Sequence, residues 1–280
     1  AGVSKYARRQ IQYVSPWASA DGFLADIREA VMRFGVRMVL PITDITMYQV
    51  LRNAHYIEPA TVPLIKYGKY LAASNKRNLI DLAKRIGIPV PATIFIDDNK
   101  DLATCLSTLT YPVILKPMAS LIEDGNRLIK TSVKVAYSEK QLIEVVSSYP
   151  AFKYPFMIQE KVNGGGLGIF TLLDKGRPIA IFAHKRIREK PPWGGVSVVS
   201  ESVPADPAAS NHAMSLLRAL EWEGPAMVEF KMDENRRVPV LMEINGRFWG
   251  SLQLAINSGV DFPYMLYRLW KGETVSSLDS

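Results

Sequence analysis

Two kinds of hydrophobic pattern alternate along the chain. Apolar residues recur every three or four positions in DGFLADIREAVMRF (21–34), TDITMYQVLRNA (43–54) and SNKRNLIDLAKRIG (74–87), and this spacing predicts amphipathic helices. They run together in VRMVLPI (36–42) and YPVILKPM (111–118), and such short apolar runs predict buried strands. The order in which helices and strands follow each other differs between the beginning of the chain and the rest.

Residues 1–73 show the order helix, strand, helix. This order is typical of an α/β layer built on a parallel sheet. We therefore predict a partial α/β, Rossmann-like domain at residues 1–73. It is too short for a complete nucleotide-binding layer, whose first strand and helix are missing from it.

From residue 74 onwards, neighbouring strands are separated by short turns. PFMIQEKV (155–162), GIFTLLDKG (168–176) and RPIAIFAHKRI (177–187) follow one another in the way that antiparallel strands do. Predicted helices such as SEKQLIEVVSSYP (138–150) lie between groups of strands. Antiparallel strands interspersed with helices predict an α+β domain over residues 74–280.

The last predicted hairpin, AMVEFKMDENRRVPVLMEIN (226–245), carries a candidate metal site. If its arms pair around the turn DENRR in a simple register, Glu229 lies directly opposite Glu243. Like charges in directly opposed positions destabilise a sheet, so this pair requires a cation. Asn245 lies on the same strand face as Glu243, and carboxylate and amide oxygens suit Mg²⁺. Arg247 continues that face and could stabilise charge on a transferring phosphoryl group.

The alternative is an exposed hairpin with both carboxylates in water. A shift of one residue in the register would turn Glu243 to the other face of the sheet. The hairpin pattern alone leaves both interpretations open.

Three further segments carry candidate ligand-binding groups. Lys116 lies in an otherwise apolar strand, where a lysine either meets an anion or extends its charged end from the strand edge into water. Lys76 begins a helix and could contact phosphate, although lysines are common at helix starts. Residues 160–162 (Glu-Lys-Val) end a strand before three glycines at 164–166. Their backbone could bind an adenine edge, and the glycines could form a hinge; an ordinary strand end is the alternative.

A basic cluster follows at the end of the strand over 177–187. It contains His184, Lys185, Arg186 and Arg188, and the PPWGG segment after it could form a substrate lid. The alternative for the cluster is a solvated face.

Composition narrows the class of protein. Among the 280 residues, 48% are hydrophobic and 22% are charged, which predicts a folded chain with a sizeable core. No apolar run reaches the roughly 18 residues of a membrane span, and the single cysteine, Cys105, cannot form an internal disulfide, so we expect a cytoplasmic protein. The formal net charge of +7 comes from scattered basic residues, which is weak support for nucleic-acid binding.

Several common catalytic motifs are absent from the sequence. It contains no serine nucleophile motif, no GxxxxGK[ST] phosphate loop and no GxGxxG fingerprint, and three histidines with one cysteine disfavour a zinc site.

Taken in order, these segments resemble the ATP-grasp superfamily over residues 74–272. The segment LMEINGRFWGSLQLAINSGVDFP is the most specific of them. It is similar to the carbamoyl-phosphate-synthase-like branch of predicted carboxylate–amine ligases. The markers are Lys76, YPVILKP with Lys116, MIQEKV with Glu160, HKRIREKPPWGG, MVEF with Glu229, and LMEINGRFWGSLQLAINSGVDFP with Glu243, Asn245 and Arg247.

The resemblance implies two α+β subdomains that hold a nucleotide: a small lid subdomain at about 112–160 and a C-terminal subdomain at about 161–280. It also implies ATP and Mg²⁺ as cofactors, with Mn²⁺ as an alternative metal. In the implied site, phosphates meet Lys76 and Lys116, adenine meets Glu160, Lys161 and Val162, the metal is held by Glu229, Glu243 and Asn245, and Arg186 and Arg247 act on the phosphoryl group and the carboxylate.

The function predicted from this resemblance is ligation of a small carboxylate to an amine through an acyl phosphate, with release of ADP and phosphate. The substrates are small molecules, and neither nucleic acid nor a membrane is an expected partner. Alternatives are a non-catalytic ATP-binding module and an ATP-grasp enzyme that uses bicarbonate. The sequence leaves the oligomeric state open, with a homodimer as one option.

Overall fold

The computed structural model describes residues 4–125, 127–191, 195–276 and 278–279, which fold as two compact units, Ala1–Tyr67 and Gly68–Ser280. The predicted domain boundary at 73/74 lies close to this division and stays a prediction. The expected PPWGG lid includes residues 192–194, which lie outside the described residues.

The first unit is built on two helices, α1 (Ala20–Phe34) and α2 (Asp44–Arg52). Helix α1 begins after Ser19, whose hydroxyl accepts a hydrogen bond from the Gly22 amide, and it ends at Gly35 in the left-handed conformation that favours glycine. The core of the unit contains Phe23, Leu24, Val50 and Ile57.

The predicted strand at 36–42 is reduced to one parallel bridge between Met38 and Thr61, the only strand-type pairing among residues 4–67. Val39 donates to the Thr61 carbonyl and Thr61 donates to the Arg37 carbonyl, both at 2.9 Å. Pro41 has no N–H with which to continue the ladder. The prediction of a strand over 36–42 was therefore wrong, and the predicted Rossmann-like layer is not confirmed.

The second unit confirms the predicted α+β architecture and contains two main sheets and a hairpin. Its helices are α3 (Tyr67–Ser74), which begins at the last residue of the first unit, α4 (Lys76–Arg85), α5 (Leu102–Cys105), α6 (Glu139–Ser148), α7 (Pro207–Ala219), α8 (Leu252–Asn257) and α9 (Phe262–Trp270). Its strands are β1 (Thr93–Ile96), β2 (Val113–Pro117), β3 (Leu121–Asp124), β4 (Arg127–Lys130), β5 (Lys134–Ala136), β6 (Phe156–Glu160), β7 (Gly166–Asp174), β8 (Arg177–Lys190), β9 (Val196–Ser202), β10 (Gly224–Met232), β11 (Pro239–Asn245) and β12 (Leu278–Asp279).

The small sheet has the strand order β1–β6–β2–β5, and all its neighbours are antiparallel. One face packs on α6 and on the short α5 around a core that includes Leu115, Leu142, Phe152, Phe156 and Ile158. Strands β3 and β4, which lie between β2 and β5 in the chain, form a separate hairpin.

The large sheet has the strand order β11–β10–β7–β8–β12, and β9 also pairs with β8. Strand β7 is apolar and buried over nearly its whole length, as expected of a central strand that is covered on both faces. Helices α7 and α9 contact β7, and α9 also contacts β10. Of the helices that the structure describes, none has both the length and the apolar character needed to cross a bilayer.

Candidate functional site

A cavity of about 560 Å³ is lined by residues of both main sheets of the second unit. The lining includes all ten residues to which the family resemblance gives a role, from Lys76 to Arg247, whereas Lys185 and Arg188 of the basic cluster are not among the lining residues. The fold therefore brings together side chains that lie up to 171 positions apart in the chain, between 76 and 247. Their individual roles stay predictions.

One row of directly paired residues crosses the large sheet on the cavity side. Glu243 pairs with Glu229, Glu229 pairs with Gly168, and Gly168 pairs with His184. Directly paired residues of antiparallel strands share a face, and three of these four line the cavity. The predicted apposition of the two glutamates on neighbouring strands is thus present in the structure.

The hairpin register is not uniform, because Glu229 pairs with Glu243 whereas Phe230 pairs with Leu241. Met242 is therefore the extra residue of a β-bulge. A bulge interrupts the strict alternation of side chains, and here the adjacent residues Met242 and Glu243 both line the cavity.

Arg186 holds the carboxylates of this site together. Its guanidinium donates to Glu229 Oε2, to Glu189 Oε1 at 3.3 Å and to the Gly195 carbonyl at 3.1 Å. The side chains of Arg186, Glu189 and Glu229 are only 11%, 13% and 12% exposed, so the ion pairs are largely shielded from water. Burial by itself lowers the pKa of Arg186, but Glu229 and Glu189 outweigh this effect, and the pKa lies above its usual value.

Two glycines on β7 leave room for neighbouring side chains. A Cβ atom at Gly166 would lie 2.7 Å from Arg186 Cδ, and one at Gly168 would lie 2.7 Å from the Phe170 ring. Arg186 reaches Glu229 across the space that Gly166 leaves open. Gly164 is equally constrained, because a Cβ there would lie 1.8 Å from the Met232 carbonyl oxygen. Glycines 164 and 166 thus serve close packing.

Burial disfavours the charged form of one of the two facing carboxylates. Burial and the neighbouring Glu243 raise the pKa of Glu229 to about 7, although Arg186 and Lys116 act in the opposite direction. Asn245 Nδ2 donates to Glu243 Oε1 at 2.8 Å, so the amide is already oriented beside the pair. Two carboxylates and an amide are hard oxygen donors, and this donor set fits Mg²⁺.

Two lysines line the cavity near these carboxylates. Burial lowers the pKa of Lys116 to about 8; the positive charge of Lys76 adds to this effect, and Glu243 opposes it. Lys76 is held close because its backbone N–H donates to the Met118 carbonyl at 2.9 Å, just beyond the end of β2. The cavity therefore contains two lysines near the carboxylates, and binding of an anion by Lys116 stays a prediction.

Residues 160–165, which connect the two main sheets, are attached to the β10–β11 turn. Glu160 Oε1 accepts from Arg236 at 2.6 Å and from the Ala92 amide at 3.1 Å. The amides of Met232 and Glu234 donate to the carbonyls of residues 165 and 163, both at 3.0 Å. The side chain of Glu160 is thus committed within the protein, while Lys161 and Val162 also line the cavity. A hinge at glycines 164–166 stays a prediction.

Arg247 lies beyond β11, and its Nη1 donates to the Phe248 carbonyl at 3.1 Å. Gly246, just before it, approaches Trp222 so closely that a Cβ would lie 2.7 Å from the indole ring. This contact fixes the chain where it leaves β11, between the predicted metal ligand Asn245 and Arg247.

Sequence reasoning assigned no role to several lining residues, among them Gln159, Lys231 and Ser251. It treated His184 only as part of a basic cluster, yet His184 is 2% exposed and uncharged at neutral pH. Burial and the charge of Arg186 lower the pKa of His184 to about 4, and its Nδ1 lies 3.1 Å from Ser251 Oγ. The alternation of polar and apolar residues along β8 could have indicated that His184 lines the cavity together with Arg186, because residues 184 and 186 share a strand face.

The chain is similar in sequence to known proteins. Residues 153–279 match the family described as ATP-grasp in the biosynthetic pathway with Ter operon. The carbamoyl phosphate synthase large chain of Saccharolobus islandicus is 23% identical over 184 residues, which are 62% of this chain and 16% of that protein.

Solved structures show the same fold. An L-amino acid ligase from Bacillus licheniformis superposes with a TM-score of 0.66 at 16% identity, over 89% of this chain and 60% of that one. A biotin carboxylase–β-γ-ATP complex from Campylobacter jejuni gives 0.70 at 17% identity, over 93% and 60%. The chain thus spans 16% of the carbamoyl phosphate synthase large chain and 60% of each of the two solved structures, less than two thirds in every case.

Proposed function

Because this chain belongs to the ATP-grasp superfamily, we propose that it is an ATP-dependent carboxylate–amine ligase. The observation that supports this most is the apposition of Glu229 and Glu243 in a cavity that also contains Lys76, Lys116 and Arg186. Two directly opposed carboxylates repel each other when no cation is bound between them. Together with the neighbouring lysines and arginine, they suit a metal-bound triphosphate.

The first chemical step is transfer of the γ-phosphoryl group. A carboxylate oxygen of the acid forms a bond to the γ-phosphorus, the bond between this phosphorus and the β–γ bridging oxygen breaks, and the electron pair leaves with ADP. Positioning and charge stabilisation provide most of the catalysis in such a transfer. Lys116 and Lys76 would bind the phosphates, and Arg247 would stabilise the charge that develops on the phosphoryl oxygens.

The second step forms the amide. The amine nitrogen attacks the carbonyl carbon of the acyl phosphate, the carbon–oxygen bond to phosphate breaks, and the amine loses a proton to solvent. Arg186 would stabilise the carboxylate end of the acid, and its ion pairs with Glu189 and Glu229 hold the guanidinium in place. A guanidinium with a fixed orientation loses little freedom when it binds an oxyanion.

Glu229, Glu243 and Asn245 would hold Mg²⁺. When bound, the metal would neutralise charge on the phosphates. Without the metal, the packing of the hairpin leaves the carboxylates of Glu229 and Glu243 in direct opposition. A bound metal ion would relieve this repulsion, and the protein would favour metal binding in this way.

A second candidate function is activation of bicarbonate in place of an organic acid. The similarity to carbamoyl phosphate synthase and the fold shared with biotin carboxylase favour it. The similarity to an L-amino acid ligase favours an organic acid. Both reactions begin with the same phosphoryl transfer to a carboxylate oxygen, so one assay separates them.

The test is a screen for ADP release with ATP and Mg²⁺, using amino acids, other small carboxylates and bicarbonate as acids, with and without ammonia or amino acids as amines. ADP release that requires both an acid and an amine supports the ligase, and release with bicarbonate alone as the acid supports the second candidate. Glu243→Gln should abolish release, while Glu144→Gln, an exposed change on α6, should not. Binding of ATP without release across the whole panel would indicate a non-catalytic module.

A further inference from the structure

The hydroxyl of Ser251 is turned away from the helix that it precedes. Ser251 is the residue just before α8, and it lines the cavity. A serine at this position normally accepts a hydrogen bond from an amide of the first helical turn. Within the described part of the chain no such amide donates to the Ser251 hydroxyl, and its Oγ lies 3.1 Å from Nδ1 of His184 on β8 instead. The proposed mechanism gives neither residue a role.

The imidazole of His184 is held in place by its surroundings. The residue is buried, and its ring meets the ring of Phe170 edge to face, with 4.6 Å between the ring centres and 76° between the planes. A Cβ atom on Gly168 would lie 3.1 Å from His184 Cδ2, so a larger residue at 168 would crowd the ring. Packing on these sides keeps the ring in the orientation that directs Nδ1 towards Ser251.

The position of the imidazole proton follows from the second ring nitrogen. Nε2 of His184 is buried and has no hydrogen-bond partner among the residues that the structure describes. An uncharged imidazole carries its proton on only one nitrogen, and a buried N–H group without a partner is rarer in folded proteins than a buried acceptor without one. The proton therefore belongs on Nδ1, which donates to Ser251 Oγ. The hydroxyl of Ser251 keeps its own hydrogen, which it can donate to a ligand in the cavity.

Ser251 lies well away from the predicted metal site. His184 pairs with Gly168 and Gly168 pairs with Glu229, so two strand spacings separate the backbones of His184 and Glu229. With about 4.8 Å between neighbouring strands, this separation is roughly 10 Å. Trp249, two positions before Ser251, adds its indole to the lining. A ligand atom at Ser251 therefore belongs to the acid substrate, beyond the carboxylate that meets the γ-phosphate.

From this geometry, and resting on the proposed function, we infer that Ser251 selects the acid substrate. Its hydroxyl donates a hydrogen bond to an oxygen at the far end of the acid, so the preferred class is a small acid with a second carboxylate or an amide at that end. An alkyl group there would leave the hydroxyl without a partner in a site from which the substrate excludes water. His184 is the positioning residue, because its Nδ1–H turns the hydroxyl hydrogen towards the cavity.

The test measures ADP release by the full chain with ATP and Mg²⁺, with ammonia or an amino acid as the amine, and with pairs of acids that have the same shape. Asparagine and leucine form one pair, and succinamate and 4-methylpentanoate form the other; in each pair an amide replaces an isopropyl group. The parent should favour the amide acid about 10-fold in kcat/KM, the equivalent of one hydrogen bond. Ser251→Ala should lose this preference through a higher KM for the amide acid, with an unchanged KM for ATP.

Variants of His184 test its positioning role. His184→Asn keeps an N–H donor close to the position of Nδ1 and should retain the preference for the amide acid. His184→Leu removes the donor and should reduce the preference in the same way as Ser251→Ala. Ser210→Ala, the same change at a serine of α7 outside the lining, is the matched control and should leave both KM values unchanged.

An unchanged preference for the amide acid in Ser251→Ala would overturn the inference. An equal rise of the KM values for acid and ATP would overturn it too, because the hydroxyl would then support the cavity as a whole. A parent that favours leucine and 4-methylpentanoate would have the same consequence. All three results leave the proposed function in place, whereas a parent without any acid-dependent ADP release would refute the proposed function and the inference together.

Discussion

Glu229 and Glu243 pair directly across the β10–β11 hairpin, and Arg186 binds the first of them from β8. The pKa of Glu229 is nevertheless raised to about 7, because burial and the proximity of Glu243 outweigh the effects of Arg186 and Lys116. The pair is therefore a destabilising element of the metal-free protein that a bound cation would relieve.

Glu243→Gln should separate metal use from folding. The variant loses a like-charge contact, so its metal-free free energy of unfolding should equal that of the parent or exceed it by up to about 1 kcal/mol. Its Mg²⁺-dependent ADP release should be abolished. Urea unfolding in EDTA and ADP release against Mg²⁺ concentration measure the two effects. A parent-like dependence on Mg²⁺ would mean that Glu243 holds no metal.

Lys116 should make ATP binding sensitive to alkaline pH. Burial lowers the pKa of Lys116 from 10.5 to about 8, so its charge is lost as the pH rises through about 8. A lost charged hydrogen bond to phosphate should weaken ATP binding about 10-fold between pH 7 and pH 9. Lys116→Arg should bind ATP equally well at both pH values, and Lys116→Ala should bind weakly at both. Titration calorimetry at pH 7 and pH 9 measures the affinity of each protein for ATP. An affinity of the parent that is the same at both pH values would contradict the prediction.

His184 should sensitise the second unit to acid. Its pKa is lowered from 6.5 to about 4, so between these values the unfolded chain binds a proton that the native protein does not. The stability that depends on neutral His184 is present above pH 6.5 and is lost as the pH falls towards 4, by about 3 kcal/mol in total. The free energy of unfolding, measured in urea, should therefore change less between pH 7 and pH 4.5 in His184→Gln than in the parent. His212→Gln, at a half-buried position, should keep the parent difference.

Arg236 should anchor the connection between the two sheets. Its guanidinium reaches Glu160 from the β10–β11 turn, so we expect the amides of Glu160, Met232 and Glu234, which donate hydrogen bonds at this junction, to be protected from hydrogen exchange even without ATP. The predicted lid, about 112–160, should instead gain protection when ATP binds. Arg236→Gln should increase exchange at the amides of Glu160, Met232 and Glu234 and leave α7 unchanged. Equal exchange in the two proteins would show that the backbone hydrogen bonds of this segment suffice.

Much of the candidate site was determined by local sequence. The turn DENRR and the apolar residues on either side of it determine a hairpin, but Glu243 comes to lie opposite Glu229 through a β-bulge at Met242 that the simple register did not predict. The capped helix that starts at Lys76 and the apolar strand around Lys116 are equally local, since both depend on residue spacing within a few turns or pairs. These patterns predicted an α+β domain from residue 74 onwards and the set of candidate residues.

Tertiary structure decided which of the polar groups are available. Nothing in the sequence shows that Arg236 binds Glu160, that His184 contacts Ser251, or that Arg186 crosses the space above Gly166, because these partners lie 76, 67 and 20 positions apart. The same holds in the first unit, where a run that reads as a strand forms only a single bridge, since a strand exists only where another strand offers a ladder. Local spacing sets the direction of a side chain, and its partner, burial and pKa depend on packing between segments that are distant in the chain.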